Sequence, residues 1–312
     1  MTLPKLNELN RREFLARSAA LAAATSLPSV AFAGNPMRTR AIPGTDEFLP
    51  VVGLGAPRIF IEMPPEGKEL PISVIQAMLD TGGRVIDTPP FFRPDVPVIG
   101  GFLAEMDLPD DMFLIGKVTV SGKREGIAHL ERLVQNLYKR PIDALLVHNM
   151  RDMENQWPTL KQWKEEGKVR YIGVSLTRTT DFGPLEKFMQ EENPDFLMTG
   201  YSITQQQPAE RILPLAVDMG TAVIAAEAFK AFEDGAFFDV VSGVELPEWT
   251  TEFDCESWAQ FSLKYILSNP AITCVVTETS KVRHIVDNVR AGYGRLPDQA
   301  TRKRMSEFLL SL

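Results

Sequence analysis

The sequence predicts a single (β/α)8, TIM-type barrel with an N-terminal hairpin and a C-terminal helix. Three observations carry this. Eight short apolar, β-branched runs recur, near 51–54, 84–87, 112–117, 142–147, 170–174, 195–199, 221–225 and 272–276. Helical patterns such as Ile72-Val74-Ile75-Met78-Leu79, Ile127-Leu130-Leu133-Val134-Leu137 and Ile212-Leu213-Leu215-Ala216 fall between them. Strands alternating with amphipathic helices build a parallel sheet, and eight such units close it. Finally, three successive runs end in a polar residue: Asp87 after Val85-Ile86, Lys117 after Phe113–Gly116, and His148 after Ile142–Val147. If those strands are neighbours, the three side chains converge at one mouth, where such barrels carry their chemistry.

The chain has 312 residues and a formal net charge of -8, which argues against a nucleic-acid or anionic-membrane partner. It has two cysteines, Cys255 and Cys274, and no CxxC or Cys/His cluster that would suggest zinc. Cys274 sits inside Ile272–Val276 and reads as a buried strand residue, so a disulfide is not expected.

Residues 1–33 read as a twin-arginine signal peptide. Arg11-Arg12-Glu13-Phe14-Leu15 precedes an alanine-rich apolar run from Ser18 to Val30, and Ala31-Phe32-Ala33 offers a cleavage site after Ala33. The alternative is a membrane helix, but the run is short for a span and ends in small residues. The segment holds four Lys/Arg and two Asp/Glu, so its removal leaves the mature chain, 34–312, at -10. The expectation is a periplasmic protein exported already folded through the twin-arginine machinery, with no membrane partner in its mature form.

Along the mature chain, Met37–Val52 predicts a hairpin around the turn Pro43-Gly44-Thr45-Asp46. A longer insertion, about Phe229 to Cys255, follows the seventh strand on the mouth side and is rich in Phe, Glu and Asp (Phe232, Phe237, Phe238, Glu245, Glu248), which suits a lid. Asp298–Leu310 predicts the terminal helix.

The motifs Met37–Arg40 with Val52-Gly53-Leu54-Gly55, Ile86-Asp87-Thr88, Lys117, Val147-His148-Asn149, Gly167–Ser175, and Thr279-Ser280-Lys281 leading to Asp287-Asn288 resemble the aldo-keto reductases, and among them the exported, twin-arginine branch. The resemblance runs from about Met37 to Asp298. It implies reduction of a small carbonyl compound with NADP or NAD. By it, Lys117, paired with Asp87, is the lysine that lowers the pKa of the family's catalytic tyrosine, and His148 orients substrate. The family tyrosine that protonates the carbonyl oxygen falls at Phe92, which has no proton to give. Glu227, new at the end of the seventh strand, could replace that acid, or pair with Lys230 or Lys117 as a rim residue. On the nucleotide side, Ser175 is kept, while Leu176 and Met198 stand where the family has Asn and Gln, and Ala226-Glu227-Ala228 where it has a ring-stacking or polar residue. Glu278 falls at the lysine that meets the 2′-phosphate, and His284 at its partner arginine. A carboxylate there repels a phosphate but could accept a bond from a free 2′-OH. Thr279, Lys281, Asp287 and Asn288 complete the implied cofactor set. Lys281 and Arg283 could restore a phosphate site, or be solvated charge at a helix start.

Two functions stay open: a carbonyl reductase with a degenerate active site, or a non-catalytic barrel (a pseudoenzyme) binding a small ligand or a partner protein in its altered mouth. No flavin or metal motif supports a different cofactor.

Overall fold

The computed structural model describes residues 36–65, 67–89, 99–137, 141–177, 181–231 and 235–312. The signal segment 1–33, Phe92 and Phe232 lie outside the described residues. Residues 37–312 form one unit.

Two antiparallel strands open it, β1 (Thr39–Ala41) and β2 (Phe48–Pro50), paired Thr39 to Pro50 and Ala41 to Phe48. The sequence predicts a hairpin that runs to Val52. The structure breaks it at Val51, whose N–H donates to Arg38 O (3.1 Å) while its carbonyl accepts from Val275 N (2.8 Å). Val51 thus hands the chain from hairpin to barrel.

Eight strands then close in chain order: β3 (Val52–Leu54), β4 (Val85–Asp87), β5 (Phe113–Val118), β6 (Ile142–Val147), β7 (Val169–Leu176), β8 (Phe196–Gly200), β9 (Ala222–Ala226) and β10 (Ile272–Thr277), with β10 back against β3. Every pair is parallel. Each predicted run is therefore a strand.

The helices are α1 (Glu69–Asp80), α2 (Ile99–Ala104), α3 (Lys123–Asn136), α4 (Met153–Glu165), α5 (Gly183–Glu192), α6 (Ile212–Met219), α7 (Phe237–Val240), α8 (Trp258–Leu267), α9 (Val282–Arg290) and α10 (Gln299–Leu310). Their ends follow local chemistry. α6 stops at Gly220, which takes φ +69. Ser257 caps α8 by accepting from Gln260 N, and Asp298 caps α10 by accepting from Thr301 N.

The strand period of two splits the core in two. Val85, Phe113, Ile115, Ala144, Leu146, Tyr171, Phe196, Met198, Ile224, Cys274 and Val276 point into the barrel, and Ile42 and Leu49 of the hairpin pack with them. Ile86, Leu114, Leu145, Val174 and Val275 point outward and pack with the helices. The hairpin also brings charge to the floor. Arg170 Nη1 donates to Asp143 (2.6 Å) and its Nη2 to Glu47, which also accepts from Tyr171 (2.8 Å). Cys255 and Cys274 are buried and unbridged.

The insertion after β9 packs by aromatic contacts. Phe229 and Phe238 lie 4.9 Å apart, Phe237 meets Trp258 at 6.3 Å, and Trp249 meets Phe308 of α10 at 6.2 Å.

Candidate active site

Inward parity brings Asp87 and Lys117 together. Asp87 follows Val85 by two and Lys117 follows Ile115 by two, so both face the interior at the C-terminal ends of neighbouring strands. Both are buried, 7% and 4% exposed. Lys117 Nζ donates to Asp87 Oδ1 and also to Thr88 O (3.2 Å). Thr88 is fixed in turn, its N–H and hydroxyl both donating to Ile115 O (2.9 and 2.7 Å). Burial pushes the Asp87 carboxyl above the ordinary carboxylate range, against the pull of the Lys117 charge. Behind the strand, buried His129 of α3 reaches Lys117 O with Nε2 at 3.1 Å. A carbonyl only accepts, so Nε2 carries the hydrogen.

His148 follows β6 and is half-buried. Its Nδ1 lies 3.2 Å from Ser175 Oγ on β7, and its Nε2 3.3 Å from the Asn149 amide nitrogen. Ser175 Oγ also accepts from Asn149 N at 3.1 Å. Burial, then the charges of Lys117 and Arg151, push the imidazole down to about 4, so it is neutral near pH 7. The loop is braced against the one after β5. Arg151 Nη1 donates to Thr119 O (3.0 Å), and Asp152 accepts from Gly122 N (2.6 Å). Asn149, Met150 and Asp152 all take left-handed conformations, with φ of 50, 50 and 54. Asn and Asp adopt these readily, whereas Met150 does so at a cost.

These residues stand in a cleft of ≈ 1640 Å³. One wall is the stretch after β3, with Pro57, Ile59 and Met63. The other walls are the segment after β9, with Glu227 and Phe229, and the start of α9, with Glu278, Thr279 and Lys281.

The remaining sequence candidates divide. Met198 is buried and Leu176 packs on the core, so an apolar surface flanks Ser175. Glu227 takes φ +57 and lies 3.7 Å from Lys230 Nζ. Thr279 Oγ1 accepts from Lys281 N (3.1 Å), and Lys281, Arg283 and His284 are exposed at the start of α9. Asp287 accepts from Ser257 Oγ and Gln260 Nε2, both at 2.7 Å, and buried Asn288 donates to Thr277 Oγ1 at 3.0 Å. These two residues thus lock α9 onto α8 and β10. Among the described residues, no group of three or more His, Cys, Asp or Glu is placed to hold a metal ion.

Sequence reasoning missed Thr88, His129 and the Arg151–Asp152 brace. His129 had a signal, a histidine between Ile127 and Leu130 on an apolar stripe. Thr88 stood in the motif Ile86-Asp87-Thr88 without a role of its own, and the brace had no signal because its partners are distant in sequence.

Comparison with known proteins adds the following. A model of the Aldo/keto reductase family matches residues 51–237. An uncharacterized oxidoreductase of Bacillus subtilis, YqkF, is 23% identical over 153 residues, 43% of this chain and 48% of that protein. The uncharacterized oxidoreductase C8E4.04 of Schizosaccharomyces pombe is 28% identical over 159 residues, 43% of this chain and 46% of that protein. The chain therefore spans about half the length of the curated relatives it matches. An aldo-keto reductase from Klebsiella pneumoniae, solved in complex with NADPH, superposes with a TM-score of 0.69 at 19% identity, covering 88% of this chain and 96% of that one. That likeness shows the barrel fold.

Proposed function

From the chain's membership of the aldo/keto reductase family, we propose that it is an oxidoreductase that reduces a small carbonyl compound with a nicotinamide cofactor, NADP or NAD. The observation that carries this reading is the buried Asp87–Lys117 pair at the base of a cleft, with neutral His148 beside it. A buried ammonium facing a cleft stabilises negative charge that develops on a ligand oxygen. Asp87 compensates the buried Lys117 charge before a ligand arrives. The Asn149 amide donates to His148 Nε2, so Nδ1–H faces Ser175 Oγ; a ligand oxygen that displaced the Asn149 amide would meet Nε2–H, with Ser175 turning to donate to Nδ1.

The cleft fits a dinucleotide in volume, and the start of α9 fits its phosphate end. The N–H groups at a helix start favour an anion, and Lys281 and Arg283 stand there exposed. Lys281, Thr279 and Ser175 would hold the cofactor directly, and Asp287 and Asn288 would act by fixing α9. When bound, the nicotinamide supplies a hydride. The mature protein, 34–312, is proposed to reach the periplasm folded, through the twin-arginine route, with this cofactor carried along. Arg11-Arg12 and Ala31-Phe32-Ala33 support that destination.

One observation favours a second reading, a barrel that binds its ligand without turning it over. Leu176 and Met198 give no amide anchor, and Ser175 is already engaged by His148 and Asn149.

The test is a fluorescence titration of residues 34–312 with NADPH and, separately, NADH. Saturable binding of either at micromolar levels is expected. No binding of either at millimolar levels would sink the oxidoreductase reading and leave the binding module.

A further inference from the structure

We propose that Glu278 is the proton donor of this mouth, a carboxyl set beside Asp87 across Gly55 and open to the cleft. This rests on the oxidoreductase reading for its chemistry, and on the geometry alone for its placement.

By the family resemblance Glu278 falls at the phosphate end of a nucleotide. The barrel register also gives it a second neighbour, Asp87. Cys274 and Val276 point into the barrel, while Val275 points out to the helices, as does Thr277, which accepts from Asn288 of α9. Val276 pairs with Gly53 and Thr277 with Leu54, and the ladder runs on through Gly55 N to Thr277 O at 2.8 Å. Glu278 is the next residue, and its parity is inward. On the other side, Leu54 pairs with Ile86, which sets Gly55 beside Asp87. Carried one residue past the last paired positions, the register sets Glu278 and Asp87 on either side of Gly55. Two strand spacings, about 10 Å, separate the outer backbones, with no side chain between them.

The surroundings leave this carboxyl available. Among the described residues, no hydrogen bond or ion pair reaches the Glu278 side chain, which is exposed in the cleft. The other charges around the mouth are engaged or stand apart. Asp87 holds Lys117 at the base of the cleft, where His148 is neutral. From the segment after β9, Glu227 has Lys230 at 3.7 Å, and from the stretch after β3, Arg58 meets Glu62 at 3.2 Å. Lys281 and His284 lie beyond Glu278, at the start of α9. Partial burial, then the charge of Asp87, push the Glu278 carboxyl upward, the direction a general acid needs.

The assignment supplies what Phe92 lacks and gives the role to Glu278 rather than Glu227. In the step, the Glu278 O–H bond breaks and a new O–H bond forms on the ligand's carbonyl oxygen, which takes the C=O π pair. A reduced nicotinamide, held by Ser175, Thr279 and Lys281, would supply the hydride for the carbonyl carbon. The Glu278 carboxylate then regains its proton from water, with Lys117 stabilising the oxygen in passing.

Two measurements test this on the mature protein. The first follows glutamate side-chain carboxyls by carbon-13 NMR, with Glu278→Gln identifying the resonance and Asp87→Asn reporting the coupling. The expected result is a Glu278 carboxyl that titrates above the ordinary glutamate range and moves back toward it in Asp87→Asn. A Glu278 that titrates in the ordinary range in the unsubstituted protein overturns the proposal, whatever the variants do. The second measures NADPH- and NADH-linked carbonyl reduction against pH. Glu278→Gln is expected to lower kcat about 100-fold or more with KM little changed, and to remove the loss of rate as pH rises. A larger kcat loss in Glu227→Gln than in Glu278→Gln overturns the assignment. If the unsubstituted protein gives no turnover while the carboxyl titrates as expected, the oxidoreductase reading falls and the Glu278 placement stands.

Discussion

At the floor of the barrel, Asp143 and Glu47 share one guanidinium, that of Arg170, and Asp143 Oδ2 also accepts from Leu114 N at 2.8 Å. At the mouth, Asp87 and Glu278 flank one glycine, and among the described residues only the first of the two has a cation. The floor carboxylates sit under a hairpin whose own residue, Glu47, belongs to the network. The mouth carboxyls open onto a cleft of ≈ 1640 Å³. The floor satisfies its charges with partners of the same chain. The mouth leaves a carboxyl free to meet something from outside, and that difference separates a structural network from a candidate reactive one.

The largest break in this comparison comes from Lys117→Met. It leaves Asp87 buried without its cation and should cost about 4 kcal/mol of stability, measured by urea unfolding, along with any turnover. Combining it with Asp87→Leu should recover most of the stability and none of the turnover, because an apolar pair can replace a buried ion pair. Failure of the double variant to recover stability would mean that the pair holds the barrel together as well.

At the floor, Asp143→Ala should cost about 3 kcal/mol by the same measurement, since Arg170 and Leu114 N lose a partner. Ligand binding at the mouth should not change. A weakened titration with NADPH or NADH would show that the two ends are coupled.

Lys264 sharpens the contrast, because it is buried with carbonyls alone. Its Nζ donates to Tyr293 O (2.7 Å) and Arg295 O (2.9 Å), and burial pushes it down to about 8. The folded value lies below the unfolded one, so its stabilising contribution is full above the ordinary lysine value of 10.5 and is lost as pH falls through about 8. Stability should therefore rise by about 2 kcal/mol from this group between roughly pH 7 and roughly pH 9.5, and Lys264→Met should flatten that slope.

The smallest effect is at His148. With its value near 4, the ring should show no titration in proton NMR between roughly pH 5 and 8. A ring titrating near the ordinary histidine value would mean that burial, and after it the Lys117 charge, does not act on the imidazole as the structure implies.

The resemblance over Met37–Asp298 and the alternation of apolar runs made the barrel legible, down to strand ends within a residue or two. Asp87, Lys117 and His148 were legible because each follows directly on a strand core, where parity and strand direction fix its destination. Less was readable where the partner comes from elsewhere. The Arg151–Thr119 and Asp152–Gly122 braces join loops about thirty residues apart, and no local pattern announces them.

By itself, the sequence determined the local quantities: period-two strands, helix stripes, the Ser257 and Asp298 caps, and the residue that closes each strand. These depend on backbone geometry and on neighbours a few residues away. Only the tertiary structure decided which of those residues meet. Aligned to a family motif, Glu278 belongs to a phosphate. Counted inward from Cys274, it stands across Gly55 from Asp87, and the proposed role rests on that neighbour. The reason is the closure of the sheet, which makes β10 and β4 near neighbours although nearly the whole chain lies between them.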